Sequence, residues 1–546
     1  MRAMKMKKAI TISKLLPVVM MALALSFTGA AHAAAPGITG TAFNLTAQAA
    51  YLNQPDGEQV YSWGYGCTTS TGVSFAPAAI AGAACPTMQV PGPTLIVTEG
   101  VSFTVTLTNN LPVAAGNTSI LFPGFNVAPS GGVVGLLTQE AAANGGTVTY
   151  TITAPTAGTH AYYSGTQGDL QVEMGLYGAI IVLPSAVPAN CNSGLAAQNL
   201  VAEGAWGEAD FRLSHAAYDH PETCYDREYL FQFSEMDGII HRTALAQVQD
   251  PKRIAACEGG AATAGCPLQV PTEPYKPSYF LINGRSMPDD MDGNYAAEYP
   301  HQPYNGNPHM HPGEQVLIRV IGQGRWEHPF HEHGNHVRIL ARDGNLLRGV
   351  TDSATTPDLS GLLMFTTDTF PGQSFDGIFY WTGRGLNWDA YGHNPASLDA
   401  KAKLPCTPDA NGYNTSAPTA INYYEWCQDH NKPLQVAPFG DVAAGGPATL
   451  PDPNIFTNGA WYGGSPYLGP DATLRAVAPA CSITTNANCS SQQPSNTQAN
   501  PPNERGYAFM WHSHNEREIT TNNVFPGGML MMMLVDSREF VINEAN

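Results

Sequence analysis

Short runs of β-branched and aromatic residues, each closed off by Gly or Pro, constrain this 546-residue chain more than any other feature. Residues 94–98 read TLIVT, 101–107 VSFTVTL, 147–153 TVTYTIT and 179–183 AIIVL. Pro91-Gly92-Pro93, Glu99-Gly100 and Ala157-Gly158 punctuate the gaps. Close-spaced short strands with turn signals point to a sandwich or barrel. A second series begins near Glu228, with strands expected at 229–233, 279–282, 315–321, 336–340, 377–381, 507–511 and 530–535. With 55 Gly and 43 Pro the chain is a poor candidate for a helical bundle. A hydrophobic share of 43% supplies real cores, which excludes global disorder. The net charge of −19 argues against a nucleic-acid or anionic-membrane partner.

Residues 1–33 read as a signal peptide. Arg2, Lys5, Lys7, Lys8 and Lys14 precede an apolar run at 15–27 and a small-residue site, Ala31-His32-Ala33. The run is too short to span a bilayer, and no later segment reads as a membrane span. Export by the general secretory route to the periplasm or the extracellular space is expected, without a lipid anchor. Ten cysteines, none spaced C-x-x-C, fit disulfide staples in loops. Nearest-neighbour pairing would close five loops, but spacing does not fix connectivity. Two β domains are expected, 34–190 and 191–546. They look like two versions of one plan, and the second carries a Gly/Pro/Asn/Ala-rich insert at about 383–505, expected as a stapled surface excursion.

Histidine placement is the strongest chemical signal. His331 and His333 stand two apart, as do His512 and His514. Residues i and i+2 of a strand share a face, so each pair presents two imidazoles together. If the two strands are neighbours, four rings converge, and imidazole suits copper, zinc, iron and nickel. His328 and His336 flank the first pair, and Met529 opens a Met-rich strand. Glu332, Glu516 and Glu518 beside the pairs are candidate proton donors or supports for the ligands, or simply solvated charges. His309-Met310-His311 is a further candidate soft site that falls at a turn, and the methionines, whose thioethers suit Cu(I), read mostly as core.

The run His328-Pro329-Phe330-His331-Glu332-His333-Gly334 resembles the first copper motif in the C-terminal domain of multicopper oxidases. Trp511-His512-Ser513-His514 with Gly527-Gly528-Met529 resembles their last motif. Val90-Pro91-Gly92-Pro93-Thr94 to Asn109-Asn110-Leu111, and Gly175-Leu176-Tyr177-Gly178-Ala179, resemble their first domain. The resemblance implies an all-β fold of tandem cupredoxin-like Greek-key β-sandwiches. It also implies copper, and a possible homotrimer as in two-domain relatives.

The chain departs from that family where electrons would enter. Ser513 stands where the family's type 1 copper cysteine is expected, and Glu518 where its histidine is expected. A hydroxyl does not replace a soft thiolate. Leu121-Phe122-Pro123-Gly124 and Tyr163-Ser164-Gly165 replace the first-domain histidine motifs. The expectation is a secreted copper-binding oxidoreductase with a His-only site of one, at most two, copper ions and no blue copper. Its candidate ligands are His331, His333, His512, His514, His328, His336 and Met529. A small-molecule or metal-ion substrate would reach the metal directly. A non-enzymatic copper-binding or structural scaffold is the alternative; a zinc hydrolase lacks an H-E-x-x-H helix.

Overall fold

The computed structural model describes residues 34–543 except 70–71, 154, 354, 385–406, 429–463, 468–505 and 539. Residues 1–33, the expected signal peptide, and most of the insert lie outside the described residues.

Two β-sandwiches follow one another. In the first, one sheet runs in the order Gly158–Tyr163, Tyr177–Leu183, Leu95–Thr98, Gly37–Thr39, Ser74–Ala76. The other runs Gln59–Cys67, Ala42–Asn53, Phe103–Asn109, Thr147–Thr153, Asn126–Gly131. Phe103, Val105 and Leu107 point inward and the threonines between them outward, so strict alternation builds the core face. In the second sandwich, Tyr279–Ile282, Arg227–Met236, Gln315–Gly322, Ser374–Tyr380, Val337–Arg342 and Asn345–Leu346 form one sheet. His309–Met310, Leu530–Asp536, Gly506–Ser513, His328–Glu332 and Thr366–Thr369 form the other.

The duplication expected from sequence is written in the strand pairing. Ala42–Asn53 lies parallel to Phe103–Asn109, which lies antiparallel to Thr147–Thr153. Arg227–Met236, Gln315–Gly322 and Ser374–Tyr380 repeat that arrangement. Likewise Leu95–Thr98, Tyr177–Leu183 and Gly158–Tyr163 correspond to His309–Met310, Leu530–Asp536 and Gly506–Ser513. Tyr177 donates its hydroxyl to Ser234 at 2.7 Å and Thr159 to Asp376 at 2.6 Å, so buried hydrogen bonds join the halves.

Three details correct the sequence reading. Helices Gly238–Val248 and Pro251–Cys257 start at the caps Asp237 and Asp250, whose carboxylates accept from Ile239 and Lys252 N–H groups. Ile240 and Ala244, with Cys266, Leu268 and Val270, complete the core of the first sandwich, although they fall in the 191–546 half of the sequence. His309 and Met310 form a strand rather than a turn, paired with Leu534 and Val535. Within the insert, Gly464–Tyr467 returns to pair with Gly506–Ser513, so the insert is not wholly an excursion.

Disulfides join Cys67 to Cys85, Cys191 to Cys224 and Cys257 to Cys266, each closing a local loop as nearest-neighbour pairing would. Cys427 is also disulfide-bonded, and among the described residues no cysteine is free. Cys406, Cys481 and Cys489 lie outside them.

Candidate metal centre

The two histidine pairs meet because their strands are neighbours. His328–Glu332 pairs antiparallel with Gly506–Ser513, and His331 lies directly opposite His512. Alternation then sorts the side chains. Phe330, Phe509 and Trp511 enter the core, while His331, His333, His512 and His514 emerge together on the other face. The ring centroids of His331 lie 4.9 Å from His333, 5.4 Å from His512 and 4.5 Å from His514.

Three of the four form the tight set. Ligand nitrogens of His331, His333 and His512 all fall within 4.8 Å of one another, and the three residues are buried. Among the described residues, no other group of three His, Cys, Asp or Glu side chains gathers ligand atoms this closely. His514 sits at the rim, its side chain 47% exposed.

The geometry and protonation of the set suit a metal. Nε2 of His512 and Nε2 of His333 are 3.3 Å apart. Two nitrogens bound tetrahedrally at about 2.0–2.1 Å would stand about 3.3–3.4 Å from each other. Nδ1 of His512 faces the Ser513 carbonyl at 2.6 Å, which makes Nδ1 the donor and leaves the Nε2 lone pair toward the trio. Nδ1 of His331 lies 2.5 Å from the Thr366 hydroxyl, a partner on the adjoining strand that orients the ring. Burial, followed by the neighbouring His333, His514 and His512, pushes the His331 pKa down to about 3; burial also lowers that of His512. Both rings are therefore neutral near pH 7, the form that binds metals.

The remaining expected ligands stand elsewhere. His328 is an odd number of residues from His331 and so faces the core. Its Nδ1 meets Glu518 at 2.8 Å and its Nε2 meets Glu235 at 2.9 Å. Although burial opposes it, hydrogen bonds and charge from the two carboxylates raise its pKa to about 9, so His328 is an imidazolium with no lone pair for a metal. Met529 is wholly buried in the core of the second sandwich. His336 packs its ring on Phe365, 4.9 Å away, outside the trio. Glu332 projects from the core face between the two ligands, and burial raises its pKa well above the carboxylate range. His309 and His311 are tied into a buried ionic network through Asp536 at 2.6 Å and Glu208 at 2.7 Å.

Where the resemblance puts a type 1 copper site, the chain has closed the space with its own polar atoms. The Ser513 hydroxyl donates to Glu518 at 2.5 Å, on the same oxygen that meets His328. In the first sandwich, Leu121 and Tyr163 pair across a β-bridge, as His331 and His512 do in the second, and neither offers an imidazole.

The family model described as "Multicopper oxidase" matches residues 81–187, the larger part of the first sandwich. Over these residues the chain is similar to multicopper oxidases, and copper is the cofactor that the matched family implies. Among solved structures, the chain is similar to the multicopper oxidase mgLAC at 15% identity and TM-score 0.41, covering 90% of this chain and 86% of that one. It is similar to a blue copper oxidase from Nitrosomonas europaea at 14% identity and TM-score 0.41, covering 90% and 85%. A copper nitrite reductase from the same organism aligns at 17% identity and TM-score 0.35, covering 62% and 84%. Likeness at that level transfers no property of those proteins. No curated protein matches the chain.

Proposed function

We propose that this protein is an exported copper-binding oxidoreductase whose single metal site is held by His331, His333 and His512, with His514 able to join from the rim. The observation that carries the reading is the buried trio itself, with the His333 and His512 Nε2 atoms 3.3 Å apart; the choice of copper rests on the multicopper oxidase match over residues 81–187. Copper bound there would supply one-electron redox chemistry. The chain's own part is to fix three lone pairs on one point, to hold His331 by Thr366, and to keep bulk water off all but the His514 side. Phe365, 47% exposed and 5.8 Å from the His331 ring, forms an apolar lip where a small substrate would approach. Ser513 and Glu518 supply no thiolate and no imidazole, so the proposal includes no blue copper and no more than two copper ions.

Secretion is part of the same proposal and rests on the sequence of residues 1–33. Among the described residues, no helix is long and apolar enough to cross a membrane. A homotrimer is the assembly proposed by resemblance, to be checked by light scattering. Elemental analysis with electron paramagnetic resonance of purified protein tests the reading. One copper per chain, lost when His331 and His512 are replaced, supports it; a protein without metal after copper loading refutes it. Oxygen uptake with phenols or reduced metal ions then separates an oxidoreductase from a copper-binding scaffold.

A further inference from the structure

The core side of the two ligand strands carries a buried charged cluster that the proposed metal chemistry does not use. His328 lies three residues before His331, and Ser513 next to His512; alternation turns both away from the trio. Glu518, in the turn after the second strand, joins them. One carboxylate oxygen, Oε2, accepts from the Ser513 hydroxyl at 2.5 Å and from His328 Nδ1 at 2.8 Å. The other accepts from the Asn515 amide at 2.8 Å. His328, Ser513 and Glu518 are wholly buried.

The placement matters because the strand pairing is short just here. Only Phe330, His331 and Glu332 are in register with Ser513, His512 and Trp511, and His333 and His514 lie beyond the paired stretch. Outside it, main-chain bonds from His514 N–H to the Pro329 carbonyl at 2.8 Å and from His333 N–H to the Met510 carbonyl at 3.3 Å hold the strands, and the Trp511 indole N–H donates to the His333 carbonyl at 3.0 Å. A ladder that ends at its ligands is free to fray there unless side chains hold it. The Trp511 indole holds the His333 main chain directly, and Glu518 adds a second tie by bonding a buried side chain of each strand.

We propose that Glu518 is a positioning residue for the metal trio: by bridging His328 and Ser513 beneath the sheet, it fixes the spacing of His333 and His512 above it. The inference rests on the proposed metal site. Glu235 supplies an internal control. It meets the same imidazolium from the opposite sheet at 2.9 Å, but it does not connect the two ligand strands. A purely structural role for the cluster would make Glu235 and Glu518 equivalent. A positioning role makes only Glu518 matter to the metal.

The test compares the full chain with Glu518→Gln, Glu235→Gln and Ser513→Ala, the last removing one arm of the bridge without leaving a charge uncompensated. Copper(II) affinity is measured by chelator competition, the midpoint of thermal unfolding on metal-free protein, and imidazole nitrogen resonances of His333 and His512 by NMR without metal. Both Gln variants should unfold at lower temperature. Glu518→Gln should weaken copper binding by about tenfold or more, the usual scale for supports of metal ligands. Ser513→Ala should shift affinity in the same direction by less, and Glu235→Gln should stay close to the parent. If Glu518→Gln fails to fold, Ser513→Ala against Glu235→Gln decides by the same criterion. Equal affinity losses in both Gln variants, or none in Glu518→Gln, would overturn the proposal. If the parent binds no copper, the proposed function fails separately, and the metal-free resonances still decide: unchanged His333 and His512 signals in Glu518→Gln overturn the positioning role, and displaced ones uphold it.

Discussion

His331 and His512 lie directly opposite one another on adjacent antiparallel strands, with ring centroids 5.4 Å apart. The pairing turns two H-x-H repeats, far apart in the chain, into one cluster on the outer face of a sheet. The same alternation sends His328 and Ser513 to the other face, where Glu518 and Glu235 enclose the imidazolium. One strand pair thus separates a metal-suited face from a charged, closed one.

The first prediction concerns pH. The folded pKa of His328, about 9, lies above the ordinary value of 6.5. Its contribution is therefore complete below about pH 6.5 and lost as pH rises through about 9. The size is on the order of 3 kcal/mol. Urea unfolding of the metal-free protein should show stability falling between about pH 6.5 and 9. In His328→Gln that slope should be largely gone and the protein weaker at pH 6.5. A slope that survives in His328→Gln would assign the titration to another group.

A second prediction concerns colour. With Ser513 donating to Glu518 and both His328 nitrogens bonded to carboxylates, no thiolate or free imidazole remains in the enclosed pocket. Copper-loaded protein should lack the intense thiolate-to-copper absorption of blue sites. Appearance of that band would mean that a cysteine reaches the metal.

Much of this was legible in the sequence, for identifiable reasons. The strand at 147–153 coincides with the expected one because alternation and β-branching both mark it, and the strand at 279–282 because it is a short unbroken apolar run. Convergence of the histidine pairs needed one further fact, that the strands are neighbours, which the resemblance supplied. The hairpin Ala42–Asn53 with Gln59–Cys67 was not legible: Ala47 and Ala49 dilute the inward series of the first strand, and Gly64 and Gly66 break the second between its core residues Trp63, Tyr65 and Cys67. The short helices escaped because Gly- and Ala-rich segments carry little periodicity, although Asp250-Pro251 is a start signal. Placing His328 among the ligands overlooked parity, since residues 328 and 331 cannot share a face of one strand. Thr366 and Glu235 carry no local motif, and only the fold brings them to His331 and His328.

A third prediction concerns the thiols. Cys67–Cys85, Cys191–Cys224 and Cys257–Cys266 are bridged, and Cys427 is bonded. Thiol titration of the denatured, exported protein should find few or no free thiols. Removing a native bridge typically costs about 2–5 kcal/mol, so Cys67→Ala with Cys85→Ala should lower the unfolding midpoint. Ten reactive thiols in the purified protein would contradict both the oxidation and the export.

A fourth prediction separates His311, in the buried network of carboxylates and arginines, from the trio. His311 faces Glu208 at 2.7 Å, and Arg227 and Arg538 compensate the adjoining carboxylates. His311→Gln should lower stability, by up to about 3–5 kcal/mol if a buried charge is left unpaired. It should leave copper stoichiometry unchanged in the folded fraction. Loss of copper in folded His311→Gln would place the metal in this network instead.

The most direct measurement is copper stoichiometry after dialysis for the parent chain and for the His331→Ala/His512→Ala double variant, with circular dichroism to confirm folding. The account predicts one, at most two, copper ions per chain in the parent and none in the folded double variant, because each strand then loses its opposed ligand. Full copper retention by the folded double variant would contradict it.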